Sequence, residues 1–196
     1  MTRRGYLPII LVLAVLALLP FAVTSNVVLN FVGFVLIIAL AAQGWNLLGG
    51  VGGQSSFGHA AFFGTGAYVS AILQVRFGVN AWVATAVAVA AGAAVGWVIG
   101  FLSFRAGLRG SYFALVTLAF AEVLRILANA AGFTGGAAGL LMKLDVGFWN
   151  MQFNSRAAFL WLALGFVAVG LIASQMIANS RFGAQLVAVR ENEEAA

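Results

Sequence analysis

Residues 43–68 read QGWNLLGGVGGQSSFGHAAFFGTGAY, and the fold turns on how this stretch is understood. It lies between two apolar runs, yet it contains Gly44, Gly49, Gly50, Gly52, Gly53 and Gly58. Gln43, Asn46, Gln54, Ser55, Ser56 and His59 are interleaved with them. Irregular, polar backbone survives at membrane depth only where protein covers it or where it lines a wet cavity. The stretch is therefore expected to line a path rather than to face lipid.

The surroundings make membrane depth the right frame. The 196 residues are 63% hydrophobic and 8% charged, with a mean hydropathy of +1.06. A soluble domain carries about one quarter charged residues. So few charges cannot cover a water-facing surface, so an integral membrane protein is expected. Cysteine is absent, which excludes disulfides, thiolate metal sites and thiol catalysis. The net charge of +5 does not indicate nucleic acid, because the basic residues are scattered at the ends of apolar runs and form no cluster.

Six apolar runs are long enough to span a hydrocarbon core, which takes ~20 helical residues. They are 7–23, 27–48, 57–75, 80–104, 111–130 and 157–178. An all-α, multi-span helical bundle over residues 1–178 is expected, followed by a cytoplasmic segment at 179–196. The first run follows Arg3 and Arg4, as a signal peptide would. It is long for one, lacks a clean cleavage site and leads directly into more spans, so an uncleaved anchor helix is favoured. In the fourth run Gly92, Gly96 and Gly100 share one face. That spacing lets a neighbouring helix approach closely, and packing within the chain is preferred to a dimer seam. With both termini inside, Arg3, Arg4, Arg105, Arg109, Arg181 and Arg190 face the cytoplasm, and Arg76, Lys143 and Arg156 face outward. This bias favours a cytoplasmic N-terminus. The longest outer connection, 131–156, combines Gly135, Gly136 and Gly139 with Trp149 and Phe153, residues suited to a close-packed turn and to a membrane interface.

Few residues could carry chemistry. Glu122 lies roughly 16 Å into the fifth run at 1.5 Å per residue, and Arg125 follows one turn later on the same face. Two readings stand: an ion pair that locks helices together, or a polar element beside a translocation path. His59 is the only histidine. With no partner set for a metal, a hydrogen-bonded residue at a helix start is favoured over a ligand or proton relay. Ser55 and Ser56 are expected to cap the third helix. The run GGVGGQSS lacks the lysine of a phosphate-binding loop and sits between spans, so that reading is rejected. No catalytic triad, HExxH or paired acids occur, so no catalytic residue, metal or bound cofactor is expected and the chain is not read as an enzyme.

The tail reads NSRFGAQLVAVRENEEAA. Phe182, Leu186 and Val189 fall on one helical face, as in a docking helix or one that lies on the membrane surface. Asn192 resembles an N-cap, with Glu193 and Glu194 in a first turn where the helix dipole favours acids. A further helix is expected to start there, so the chain is expected to be shorter than the working protein.

Three stretches, in order, carry a family resemblance. GQSSFGHAAFFGTGAYVSAIL resembles the signature of permease subunits of branched-chain amino-acid ABC importers. LRGSYFALVTLAFAEVLRIL followed by FTGGAAGL resembles the next block of the M-type permease, and SRFGAQLVAVRENEEAA is similar to the loop that docks on the ATPase. The resemblance covers about residues 30 to 196. It implies the larger-bundle (type II) importer fold, in a bacterial plasma (inner) membrane. It implies a path formed with a second permease, two cytoplasmic ATPases that bind the ATP, and an extracytoplasmic binding protein that delivers leucine, isoleucine or valine. Carried over to this chain, Gln54, Ser55, Ser56, Gly58 and His59 belong to the signature, and Glu122 and Arg125 match the charged positions of the fifth-span block. Arg181, Phe182, Gly183, Arg190, Glu191, Asn192, Glu193 and Glu194 belong to the coupling loop, where Leu186 lies on the apolar docking face. Family members continue through further spans. A related urea permease shares the general pattern, so urea, short amides or other amino acids are the alternative cargo. A membrane-embedded enzyme using Glu122 and His59, or a passive channel, are the readings from other classes.

Overall fold

The computed structural model describes residues 6–191. Expectations for Arg3, Arg4, Asn192, Glu193 and Glu194 fall outside the described residues. The long helices are α1 (Tyr6–Ala22), α2 (Asn26–Trp45), α3 (His59–Phe77), α4 (Ala81–Arg105), α5 (Gly110–Ala130) and α6 (Arg156–Ala178), and a short α7 (Arg181–Glu191) follows. A π-helical turn, Asn46–Val51, continues α2, and three single 3-10 turns lie between α5 and α6. No strand occurs among the described residues, and the protein is an all-α, multi-pass membrane protein. Among the described residues, four segments are long and apolar enough to cross a bilayer: Asn26–Val51, α4, α5 and α6. Helix α1 is apolar but only 17 residues long. Helix α3 has 19 residues, but Thr65, Ser70, Gln74 and Arg76 dilute its apolarity.

The chain forms two compact units, one from residues 1–53 and 153–196, the other from 54–152. In the first, α2 packs along α6 through Leu29, Leu36, Leu160, Leu164 and Val167, and Leu13 and Leu16 of α1 pack against them. These positions recur at three, four and seven residues, so each helix presents one stripe to its neighbour. Lipid tails are as apolar as leucine, so close packing rather than escape from water holds such a seam. Gln43 of α2 reaches into it. Its Nε2 donates to the Val167 carbonyl at 3.5 Å, and a Cβ on Gly170 would collide with its amide oxygen.

In the second unit the main seam joins α3 to α4 and uses small residues. Ala81, Ala84 and Ala88 are buried. A Cβ on Gly92 would lie 3.4 Å from the Phe62 carbonyl, and one on Gly96 would lie 3.6 Å from the Phe62 ring. Intramolecular packing thus accounts for two of the three glycines. Gly100 has only Phe104 of its own helix nearby. The connection after α5 is tied down by a local bond and by bonds from α3 and α4. Thr134 donates to the Ala131 carbonyl at 2.6 Å, and Arg76 reaches Gly132 O at 3.2 Å. Trp82 Nε1 donates to Phe148 O at 3.0 Å.

Candidate functional site

Three groups of expected site residues can be located. The first opens the second unit. The backbone from Gln54 to Gly58 is not helical, so its N–H groups need partners from elsewhere. Phe57 N–H donates to Thr117 Oγ1 of α5 at 3.2 Å, and that hydroxyl donates to Ala114 O at 2.8 Å. Thr117 is 1% exposed. Gly58 packs directly on it: a Cβ there would lie 2.6 Å from the Thr117 carbonyl oxygen. Ser56 is buried, and its Oγ accepts from Gly58 N–H at 3.2 Å.

This corrects the expected cap. Gly58, not a serine, occupies the N-cap of α3, with no side-chain cap bond. The helix starts at His59, which leaves Ser56 too far upstream to reach the first-turn amides. Its hydroxyl closes a local turn instead. Ser55 is exposed. His59 sits at the helix start, with Nδ1 3.3 Å from Ser56 O and its ring edge-on to Phe62 at 5.7 Å. That contact needs the proton on Nδ1. No group of three His, Cys, Asp or Glu that could hold a metal occurs among the described residues. The Gln54 amide oxygen is buried and makes no hydrogen bond among them.

The second group lies on another face of α5. Its buried residues are Phe113, Ala114 and Thr117. Ser111, Leu115, Leu118, Glu122, Arg125 and Asn129 are exposed and, at alternating spacings of four and three, form one stripe. Arg125 grips Glu122 with two bonds, Nε to Oε2 at 2.8 Å and Nη2 to Oε1 at 2.6 Å. The two side chains remain 61% and 53% exposed. Among the described residues the pair therefore locks no second helix to α5; both partners belong to one helix and face outward.

The third group is the α6–α7 corner. Ser180 Oγ accepts from Gly183 N–H at 3.1 Å and donates to Ile177 O at 2.7 Å, so one hydroxyl caps α7 and closes α6. Gly183 is buried, and a Cβ there would collide with the Ile177 carbonyl. At the far end of α7, Arg190 Nη1 donates to Gly50 O at 2.9 Å, and Arg190 Nη2 pairs with Glu191 at 2.6 Å. Gly53 has φ +70°, and a Cβ on it would run into the Arg190 stem. Only glycine serves both demands there. Phe182 is 59% and Val189 36% exposed, whereas Leu186 is half-buried. The expected apolar face is thus divided: Leu186 turns partly into its own unit, because Gly183 brings that side of α7 close to the end of α6. Arg181 is exposed.

Two residues escaped the sequence reading. Thr117 lies in helical register with Phe113 and Ala114, a signal that periodicity could have supplied. Gly170 matters only because Gln43 lies opposite, and nothing local announces that.

A family model described as branched-chain amino acid transport system / permease component matches residues 27–196. The chain is 33% identical over 156 residues to the high-affinity branched-chain amino acid transport system permease protein LivM of Escherichia coli (strain K12). That match covers 79% of this chain and 36% of the relative. It is 31% identical to LivM of Salmonella typhimurium (strain LT2), over 97% of this chain and 49% of the relative. The chain thus spans about half or less of the length of these relatives. No solved structure matches it.

Proposed function

The chain belongs to the permease family of branched-chain amino acid transport systems, and from that premise we propose that it is the membrane subunit of an ATP-driven importer of leucine, isoleucine and valine. In this reading it sits in the bacterial plasma membrane with its N-terminus in the cytoplasm. A second permease completes the path, an extracytoplasmic binding protein delivers the substrate, and two cytoplasmic ATPases bind the ATP. The chain itself needs no cofactor and breaks no bond in the substrate.

The observation that carries the coupling is the α6–α7 corner. Phe182 stands outward on a helix that is capped by Ser180 at one end and tethered by Arg190 at the other. Such a helix is held from both ends and offers an aromatic side chain to a partner, as interface anchors do. An ATPase that pulls on Phe182 moves α6 through the corner and the π-helical turn through Gly50. Arg181 and Glu191, at the two ends of α7, belong to the same docking element. Gln54, Ser55, Ser56, Gly58 and His59 serve the path as its formed wall. Glu122 and Arg125 serve it as the exposed charged stripe, because a charged pair open to lipid is costly and calls for water or a second protein surface.

Co-purification with the cognate ATPase is the test. Phe182→Asp is expected to reduce recovery of the ATPase at least tenfold, with the helical content of the chain unchanged. Retained ATPase removes the docking role. ATP-driven uptake by the reconstituted assembly then tests the cargo. Labelled leucine is expected to enter and urea is not; the reverse result replaces the amino acid with an amide.

A further inference from the structure

A cavity of about 370 Å³ opens at the end of the second unit where α3 stops and the 141–152 segment folds back. In the proposed orientation, with the N-terminus in the cytoplasm, this end faces outside. No residue of the α5 stripe lines the cavity. The chain's single lysine, Lys143, and its single aspartate, Asp145, both line it. We propose that this cavity receives an α-amino acid as a zwitterion, with Lys143 facing the carboxylate, Asp145 facing the ammonium and aliphatic residues meeting the side chain. The choice of an aliphatic amino acid rests on the branched-chain permease reading.

The two charges are left available while their backbone is fixed. Asp145 N–H donates to Gln152 Oε1 at 2.8 Å, and Gln152 Nε2 donates to Lys143 O at 2.9 Å. Gly147 and Gln152 exchange two main-chain bonds, at 2.9 and 3.2 Å. The segment is therefore shaped before any ligand arrives, as small-molecule sites are. The Lys143 ammonium makes no hydrogen bond or ion pair among the described residues. Asp145 takes one side-chain bond, from Asn150 Nδ2 to Oδ2 at 2.9 Å, which leaves Oδ1 with lone pairs to spare. A cation and an anion two residues apart, not spent on each other, offer opposite poles to a ligand that carries both. Val75, Val79, Leu141 and Met142 supply the apolar part of the lining. The volume lies at the small end of the ligand-site range, suited to one amino acid rather than to a peptide. Both charged residues are exposed, so solvent screens them and affinity of about a millimolar is expected. Weak binding suits a site that hands its ligand on.

The test uses the chain in lipid nanodiscs, titrated with leucine, leucinamide and 4-methylpentanoate, with binding read by saturation-transfer NMR of the ligand methyl groups. Leucine is expected to bind at least tenfold tighter than either analogue, each of which lacks one charge. Lys143→Gln is expected to make leucine and leucinamide bind alike, and Lys143→Arg to restore their difference. Asp145→Asn is expected to make leucine and 4-methylpentanoate bind alike. The proposal is overturned if leucine does not bind, if the analogues bind as well, or if both variants keep wild-type discrimination. Leucine uptake by the complete assembly without this binding pattern overturns the proposal and leaves the permease reading. The binding pattern without uptake of any branched-chain amino acid supports the site and removes the permease reading.

Discussion

The two sides of α5 handle polar groups in opposite ways. On one side Thr117 is 1% exposed, and its hydroxyl is spent on the main chain of Phe57 and Ala114. On the other, Glu122 and Arg125 hold each other by two bonds and remain more than half open. Both sides belong to one helix of membrane-crossing length. A buried polar group without a partner is costly, and Thr117 is partnered entirely within the chain. The ion pair is internally satisfied but uncovered. The first side thus marks what the chain needs for its own fold; under the proposed function, the second is what it offers to something outside.

Substitutions can break or sharpen this contrast. Gly58→Val places methyls where the Thr117 main chain already lies, and the backbone there cannot yield as a side-chain end could. A loss of about 3 kcal/mol or more is expected, seen as failure to recover monodisperse protein; normal recovery would mean that the inward side is loosely packed. Thr117→Val keeps the shape but orphans Phe57 N–H. It is expected to cost about 1–3 kcal/mol in denaturant unfolding in lipid, with uptake per folded molecule unchanged. Glu122→Gln is expected to leave the melting temperature at its wild-type value while slowing ATP-driven leucine uptake roughly tenfold. If it instead destabilised the chain as much as Thr117→Val, the two sides would not differ in kind and the outward pair would be structural.

The long helices were legible because most of their residues are apolar, and chemistry of that kind repeats along a chain. The pairing of Glu122 with Arg125 was also legible, since residues three apart meet on any helix. Which way that pair faces was not. Orientation depends on the side that α5 turns to α3 and α4, and so on residues far away in sequence. The bond from Phe57 to Thr117 spans sixty positions and leaves no local mark. Serines beside a helix start suggested a cap, but the start lies at His59 because Gly58 can approach Thr117 and a larger residue cannot. At α7 the apolar spacing was correct, while the half-burial of Leu186 follows from a glycine that only the folded corner explains.

The Arg190 tether has a genetic corollary. Its acceptor is a main-chain oxygen, which every amino acid possesses, so no replacement at position 50 deletes the acceptor itself. The link is erasable from the arginine end, by crowding at position 53 against the Arg190 stem, or by crowding at position 50 against the Asn46 side chain. Under the proposed importer function, a search for mutants in which nucleotide hydrolysis runs free of import should therefore find a lopsided spectrum, with lesions at Arg190, enlargements at Gly50 and Gly53, and side-chain deletions across the facing turn largely missing.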